Sequence, residues 1–307
     1  MIVGIIVGGI FLFIILFLFV VLILLYHYIF YSPLKGQLSD FNIFDSPNFA
    51  GYQDNLKNLI TSLKERKHED VYAKSYDNLK LHARLYENSK SQKVAILFHG
   101  YRGTALRDFC GGAKEAIELG YSVILVDQRA HGSSEGHSIT FGVREVNDVL
   151  TWVDFVKQRF GKDTSLVLVG ISMGGATVLG ACDKVGDNVK IIADSPYPSP
   201  KVILSASIRS VHLPTFIFYP LINLAAILFA HTNMNNMSAY KTIENTNNKI
   251  LIIHGTKDSV VPYETSKKLA ETFLDKIQYE LFEGADHGVS YLADTKRYCD
   301  IVREFLS

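Results

Sequence analysis

The chain has 307 residues, and its 31 Lys and Arg residues balance its 31 Asp and Glu residues, which gives a formal net charge of zero. This length accommodates one large domain or two small ones. The zero net charge and the lack of a basic block in the sequence indicate that nucleic acid is not a partner.

The first thirty residues differ sharply in composition from the rest. Residues 2–30 are apolar almost throughout, and the first charged side chain is that of Lys35. A helix needs about 20 apolar residues to cross the hydrocarbon core of a bilayer. We therefore expect residues 1–31 to form a transmembrane anchor, with the membrane as a partner through residues 2–30. The alternatives are a cleaved signal peptide, which normally has a basic start and a shorter core, or a buried core helix.

The charges that follow the anchor bear on its orientation. Positive residues near the end of a span tend to stay in the cytoplasm, and the nearest ones here are Lys35 and the cations from Lys57 onward. This pattern favours a single-pass protein with a cytoplasmic catalytic domain.

Residues 32–67 are predicted to form a linker and an amphipathic helix. The helix is predicted to begin at Ser46-Pro47 and to end near Arg66, because apolar residues recur there at helical spacing. The segment 71–87 then alternates around Asp77-Asn78, which predicts an antiparallel hairpin.

Short, nearly continuous apolar runs then alternate with helical stretches. The predicted strands are Lys93–Phe98, Tyr121–Val126, Ser165–Val169, Val189–Ala193, Lys249–Ile253 and Ile277–Phe282. The predicted helices are Ala105–Leu119, Val143–Phe160, Gly174–Val185, Tyr263–Phe273 and Val289–Leu306. This alternation predicts an α/β fold over residues 68–307, with a mostly parallel, doubly wound sheet after the hairpin. Ligands bind beyond the carboxyl ends of such strands.

A serine lies in the turn after the third of these strands. Residues 170–174 read Gly-Ile-Ser-Met-Gly, and this G-x-S-x-G pattern between a strand and a helix indicates a nucleophile elbow. The sharp turn requires glycine neighbours, and the helix that follows offers free N–H groups. We therefore predict Ser172 as the nucleophile; the alternative is a glycine-rich turn with an incidental serine.

A serine hydroxyl needs a base, and the base needs a third group to orient it. In a nucleophile-elbow fold the chain order is Ser, acid, His. Asp258 follows the fifth predicted strand and His287 follows the last one, so we predict these two residues as acid and base. Asp194, after the fourth strand, is the alternative acid. The polar run 127–132 precedes the serine and is interpreted as a structural loop.

The oxyanion of an acyl-transfer intermediate needs donors that are already in place. The turn after the first predicted strand contains Tyr101, and we predict its backbone N–H and that of Met173 as the oxyanion hole. The side chain of His99 is expected to brace this turn. The sequence has no cluster with metal-ligand spacing, and its three cysteines are scattered, so we expect no metal site.

Five segments taken together resemble a known superfamily. The segments HGYRG, DQRAHGSSEG, GISMGG, HGTKDSVVP and GADHG occur in this order and resemble the α/β-hydrolase superfamily, particularly its esterase, monoglyceride-lipase and serine-aminopeptidase-like branch. The resemblance covers residues 68–307. It implies Ser172, His287 and Asp258 as the triad, the two backbone donors, and no metal or cofactor. It also implies a cap insertion at about residues 196–240, which places Pro196–Met237 over the active site.

We therefore expect a membrane-anchored serine hydrolase that cleaves a carboxylic ester or related acyl bond of a small, lipid-like substrate. The apolar cap suits acyl chains, and its Phe216, Phe218 and Tyr219 are the candidate substrate-binding residues; an ordinary cap helix packed on the core is the alternative. Pro220 is expected to interrupt this segment, which argues against a second span. A peptidase or thioesterase with the same triad and a non-catalytic, membrane-tethered binding protein are the alternative functions.

Overall fold

The computed structural model describes residues 2–32, 40–41, 49 and 51–307. Its first element is the helix α1 (Ile2–Ile29), which is apolar and exposed over most of its length. Among the described residues, its segment Ile5–Ile29 is the one helix long and apolar enough to cross a membrane, with a mean hydropathy of 3.4. Only 6% of the most apolar part of this segment is buried, unlike the core helix of a soluble domain.

Eight strands form one sheet. They are β1 (Glu69–Lys74), β2 (Lys80–Tyr86), β3 (Lys93–Phe98), β4 (Ser122–Asp127), β5 (Ser165–Ile171), β6 (Lys190–Asp194), β7 (Ile250–Gly255) and β8 (Ile277–Phe282). Their order is β1-β2-β4-β3-β5-β6-β7-β8, with β2 antiparallel to both of its neighbours and all later pairs parallel. The predicted parallel sheet with a leading hairpin is confirmed, and every predicted strand starts within one residue of an observed one.

The hairpin turn between β1 and β2 is fixed by local side-chain hydrogen bonds. The hydroxyl of Ser75 donates to Asp77 Oδ1 at 2.6 Å and accepts the N–H of Leu79 at 2.9 Å. Asn78 adopts a positive φ of 69°, a conformation that Asn tolerates better than most residues. These bonds hold the register in which Lys74 pairs with Lys80.

Ten further helices surround the sheet in the described ranges. They are α2 (Gln53–Glu65), α3 (Ala105–Glu118), α4 (Glu145–Phe160), α5 (Met173–Ala181), α6 (Pro200–Ser210), α7 (Thr215–Phe229), α8 (Ala239–Glu244), α9 (Tyr263–Thr272), α10 (Ser290–Ala293) and α11 (Thr295–Leu306). The single helix predicted over Val289–Leu306 is wrong. The helix is interrupted at Asp294, whose carboxylate caps α11 by accepting the N–H of Arg297 at 2.9 Å.

Two apolar cores flank the sheet. One lies between the sheet and helices α4 and α5 and includes the fully buried Trp152. The other lies between the sheet and helices α3 and α11. Helix α2 packs on α3 through Leu56 and Ile60, which contact Cys110. The predicted start of this helix, Ser46-Pro47, lies outside the described residues.

The insertion between β6 and β7 holds α6, α7 and α8. Helix α7 continues through Pro220, so the predicted interruption there is wrong. Pro220 is the sixth residue of α7 and removes one intrahelical hydrogen bond, and the packing of α7 against α1 and α6 holds the helix together across it. At 15 residues, α7 is still shorter than a membrane span.

The end of helix α1 is packed into the α/β domain. Phe30 is fully buried, and its ring packs edge-on against Phe141 with centroids 5.9 Å apart. Its carbonyl accepts the N–H of Ile139 at 2.8 Å, and Ser32 N–H donates to the His137 carbonyl at 2.9 Å. Higher on the helix, Tyr26 and Phe19 both contact Phe229 of α7. The anchor therefore packs on the domain as a structural element.

Replacing Phe30 with Ala should destabilise the whole domain. The change leaves a cavity in a core that is fully closed to solvent, and such truncations cost about 3–5 kcal/mol. We expect the midpoint of chemical unfolding, measured in detergent, to fall accordingly. Phe11→Ala, on an exposed part of α1, is the matched control and should leave that midpoint unchanged. An equal effect of both variants would contradict the packing role of Phe30.

Candidate active site

Ser172 lies at a strained turn between β5 and α5. Its backbone has φ 54° and ψ −112°, a region that non-glycine residues rarely occupy. A Cβ on Gly174 would lie 1.8 Å from the Phe98 carbonyl oxygen, and one on Gly170 would lie 2.2 Å from the Gly174 backbone. The two glycines therefore permit the close approach of α5 to the sheet. Ser172 N–H donates to the Asp194 carbonyl at 2.9 Å and fixes the turn.

Asp258 is fully buried and has donors on both carboxylate oxygens. Oδ1 accepts the N–H groups of Val260 and Val261 at 2.9 and 2.7 Å. Oδ2 accepts ring N–H groups of His254 and His287 at 2.9 and 2.7 Å. Burial alone would raise the pKa of this carboxyl, but the hydrogen bonds from the two histidines hold the pKa well below its ordinary value. Asp258 is therefore a carboxylate at neutral pH.

His287 lies in the loop after β8, as predicted. Because its Nδ1 is bonded to Asp258, its Nε2 is the ring nitrogen left for chemistry. Ser172 and His287 border the same cavity. The described structure has no direct hydrogen bond between the Ser172 hydroxyl and the His287 ring, which is common before substrate binds.

His254 is a residue of the site that the sequence analysis did not identify. Its Nε2 faces two acceptors, the Asp258 carboxylate and the Val261 carbonyl at 3.1 Å, so this nitrogen carries the proton. Its Nδ1 accepts a hydrogen bond from the Ser266 hydroxyl at 2.7 Å. The available signal was its place in HGTKD, at the end of β7 and four residues before Asp258.

The turn after β3 is held from several sides. Gly100 N–H donates to Asp108 Oδ2 at 2.9 Å, and Arg102 N–H donates to His131 Nε2 at 3.1 Å. Between them, the N–H of Tyr101 has no acceptor among the described residues, and neither has that of Met173 at the start of α5. Both proposed oxyanion donors are thus free for a ligand.

The polar run 127–132 forms a buried structural network. His131 Nδ1 donates to the Arg129 carbonyl at 2.9 Å, which leaves Nε2 to accept from Arg102 N–H. Burial lowers the pKa of His131 to about 3, so the ring stays neutral. Arg129 pairs with Asp148 at 2.6 Å. His99 Nε2 accepts the N–H of Gln128 at 3.1 Å, so its ring joins the two loops.

The turn after β3 also contacts the end of helix α1. The hydroxyl of Tyr101 donates to the Ile29 carbonyl at 2.8 Å. The guanidinium of Arg102 donates to the Tyr28 carbonyl at 2.7 Å and to the Tyr31 carbonyl at 3.3 Å. These side chains satisfy carbonyl groups that every helix leaves open at its end. The anchor and the turn therefore hold each other in place.

A cavity of about 380 Å³ opens beside Ser172 and His287. It extends between the sheet and helices α3 and α11, and most of its lining is apolar. Small-molecule sites typically measure about 300–1,000 Å³. The three cap residues proposed for substrate binding do not line this cavity. Phe216 is 80% exposed, Phe218 is half-buried, and Tyr219 is buried with its hydroxyl donating to Asn235 at 2.7 Å.

The structure also describes the alternative acid, Asp194, and the three cysteines. The Asp194 carboxylate accepts a hydrogen bond from Ser195 at 3.0 Å and makes none to His287. The three cysteines are free and buried, and burial raises the pKa of each thiol to about 12. They are packing residues.

The sheet order and the helices around it are those of the α/β-hydrolase fold, and the chain resembles proteins of the α/β-hydrolase superfamily. The family model described as serine aminopeptidase, S33, matches residues 89–232. Esterase Pf2001 of Pyrococcus furiosus superposes with a TM-score of 0.66 at 23% identity, covering 81% of this chain and 92% of that one.

Curated relatives share part of the sequence. The lysophosphatidylserine lipase ABHD12 of Danio rerio is 30% identical over 200 residues, which cover 61% of this chain and 49% of that protein. The uncharacterized protein YqkD of Bacillus subtilis is 27% identical over 195 residues, which cover 62% of this chain and 63% of that protein. The chain thus spans between about half and two thirds of the length of these relatives.

Replacing Asp194 with Asn should change how stability depends on pH. Burial raises the pKa of this carboxyl to about 6, with the Ser195 hydrogen bond opposing the shift. Between the unfolded pKa, about 3.9, and this value the folded state binds more protons, so wild-type stability falls as pH rises through that window. Asp194→Asn removes this fall. It should unfold at higher denaturant concentration than wild type at pH 8, by on the order of 3 kcal/mol, and equally at pH 4. A gain of equal size at both pH values would contradict the raised pKa.

Proposed function

We propose that the protein is a membrane-anchored serine hydrolase that cleaves a carboxylic ester or a related acyl bond of a lipid-like substrate. The observation that carries the proposal is the meeting of three features at one cavity. A serine in a nucleophile elbow and a histidine bonded to a buried aspartate border a mostly apolar space. Two unpaired backbone N–H groups belong to the turns beside that serine.

In the proposed reaction, Ser172 attacks the acyl carbon while His287 Nε2 takes its proton. The carboxylate of Asp258 holds the ring in the required tautomer and stabilises the cation that forms. The N–H groups of Tyr101 and Met173 bind the oxyanion. His287 then protonates the leaving group, and a water molecule, activated by the same ring, releases the acid from Ser172.

The related proteins support an acyl substrate without defining it. ABHD12 is named a lysophosphatidylserine lipase, and Pf2001 an esterase. The family model is named for an aminopeptidase, which keeps peptide hydrolysis as the second candidate. The apolar lining of the cavity favours an acyl chain over a peptide terminus, because a charged amino group would be desolvated there without a partner.

A fluorophosphonate probe tests the activated serine directly. Wild-type protein should be labelled, and Ser172→Ala should abolish labelling because the nucleophile is gone. His287→Ala should slow labelling by about 10²–10⁴-fold, the usual contribution of a general base. Ser207→Ala, on an exposed position of α6, is the matched control and should be labelled like wild type. Labelling that persists in folded Ser172→Ala would refute the assignment, and a folded wild type that resists the probe would favour a binding protein.

We infer that α1 is a retained membrane anchor and that the catalytic domain is cytoplasmic. The burial of Phe30 supports retention, because cleavage after it would remove this side chain from a core. Helix α7 packs beside α1 and exposes Phe216, Ile217 and Leu228, an apolar surface continuous with the anchor. This surface would lie against the same bilayer.

Alkaline extraction of membranes tests retention, and protease added to intact cells tests orientation. The full chain should stay in the membrane pellet at high pH, because an apolar helix of this length does not leave the bilayer. The catalytic domain should resist external protease until the cells are permeabilised. Recovery of a shortened chain in the soluble fraction would indicate a cleaved signal, and digestion from outside would reverse the proposed orientation.

A further inference from the structure

The cavity beside Ser172 continues deep into the protein along one face of the sheet. Val167, Val169 and Ile171 are same-face neighbours on β5, and all three line it. With a rise of about 3.3 Å per residue, the five residues from Val167 to Ser172 correspond to a length of about 16 Å. The deep end is bounded by Leu119 and Tyr121, which lie at the amino ends of the parallel strands, whereas Ser172 lies at their carboxyl ends. The cavity is therefore long and narrow.

One helix keeps this space open by carrying small residues. Gly112, Ala116 and Leu119 share a face of α3, at intervals of four and three residues, and all line the cavity. A Cβ on Gly112 would meet only the Phe109 ring, at 3.4 Å, so the glycine borders open space. Larger residues at the first two positions would fill the cavity.

The polar groups of the lining are largely paired with protein partners. Glu115 accepts a bond from Arg303 at 2.7 Å, and Arg107 pairs with Asp108 at 2.7 Å. Asp194 is bonded to Ser195. The pattern fits a chain with no polar groups along its length.

We propose that this cavity binds the acyl chain of the substrate, with the carbonyl at Ser172 and the chain running between the sheet and α3; this rests on the proposed function. An extended alkyl chain advances about 1.25 Å per carbon, from a bond length near 1.5 Å and an angle near 111°. A length of about 16 Å therefore accommodates about 12 carbons. The substrate class is an ester of an unbranched, medium-length fatty acid. The leaving group stays outside, beside the oxyanion turn and the end of α1.

A chain-length profile tests this site. The full chain in nanodiscs would be assayed with p-nitrophenyl esters from acetate to hexadecanoate. For wild type, kcat/KM should rise by about fourfold per added carbon, the value of burying one CH₂, and should stop rising near 12 carbons. A steady decline from acetate onward would overturn the proposal.

Two leucine variants locate the chain within the cavity. Ala116→Leu should shorten the preferred chain, and Gly112→Leu should shorten it by about five further carbons. One helical turn of about 6 Å separates the two positions, and Gly112 is the nearer to Ser172. Lys114→Leu, on the exposed face of the same helix, is the matched control and should keep the wild-type profile. Unchanged profiles in folded Ala116→Leu and Gly112→Leu would overturn the proposal.

A binding measurement separates this proposal from the catalytic one. Dodecanoate should raise the thermal unfolding temperature of Ser172→Ala, and this shift should be lost when Gly112→Leu is added. If dodecanoate gives this shift but the wild-type protein hydrolyses no ester, the proposed function is wrong and the proposed acyl-chain site stands. If the wild-type protein hydrolyses esters but dodecanoate gives no shift, the proposed acyl-chain site is wrong and the proposed function stands. Gly112→Ala, a smaller change that favours the helix, should give an intermediate shift and serves if the leucine variant does not fold.

Discussion

The close approach of helix α5 to the sheet is the constraint from which the site follows. Gly174 lies so near the carbonyl of Phe98 that any side chain would collide with the end of β3. This approach forces Ser172 into a left-handed conformation at the edge of the sheet and directs the start of α5 toward the same point. The strain is balanced by the buried sheet around it and by the bond from Ser172 N–H to the Asp194 carbonyl. The serine is thus fixed by backbone packing before any catalytic partner is considered.

The partners of the serine are held by buried hydrogen bonds of their own. Asp258 has four donors, so its carboxylate stays charged in a site closed to water, and His287 is oriented by that charge. On the other side, neutral His131 accepts the N–H of Arg102 and fixes the turn that carries Tyr101. Two loops that are far apart in sequence therefore meet at one serine, and each loop is held there by buried hydrogen bonds.

The end of helix α1 contributes to the same arrangement. Tyr101 and Arg102 bond to the last carbonyl groups around Ile29, and Phe30 fills a core position beside Phe141. A helix end normally has its carbonyl groups solvated or capped, and here the oxyanion turn provides the caps. The position of helix α1 and the geometry of the turn are mechanically connected, since a displacement of one breaks bonds of the other.

Local sequence signals predict most of the elements and the candidate residues of the site. Short apolar runs bounded by turn residues, such as β3, predict buried strands, and the spacing of Gly170, Ser172 and Gly174 is a local backbone requirement. Pro220 and Asp294 show the limit of such signals, because packing against α1 and α6 holds α7 together across a proline, and an aspartate caps a new helix when it meets the next N–H groups. The position of the cavity was decided only by the tertiary structure. It depends on how far α3 and α11 lie from the sheet. That distance is fixed by the packing of all three against one another, and no single segment encodes it.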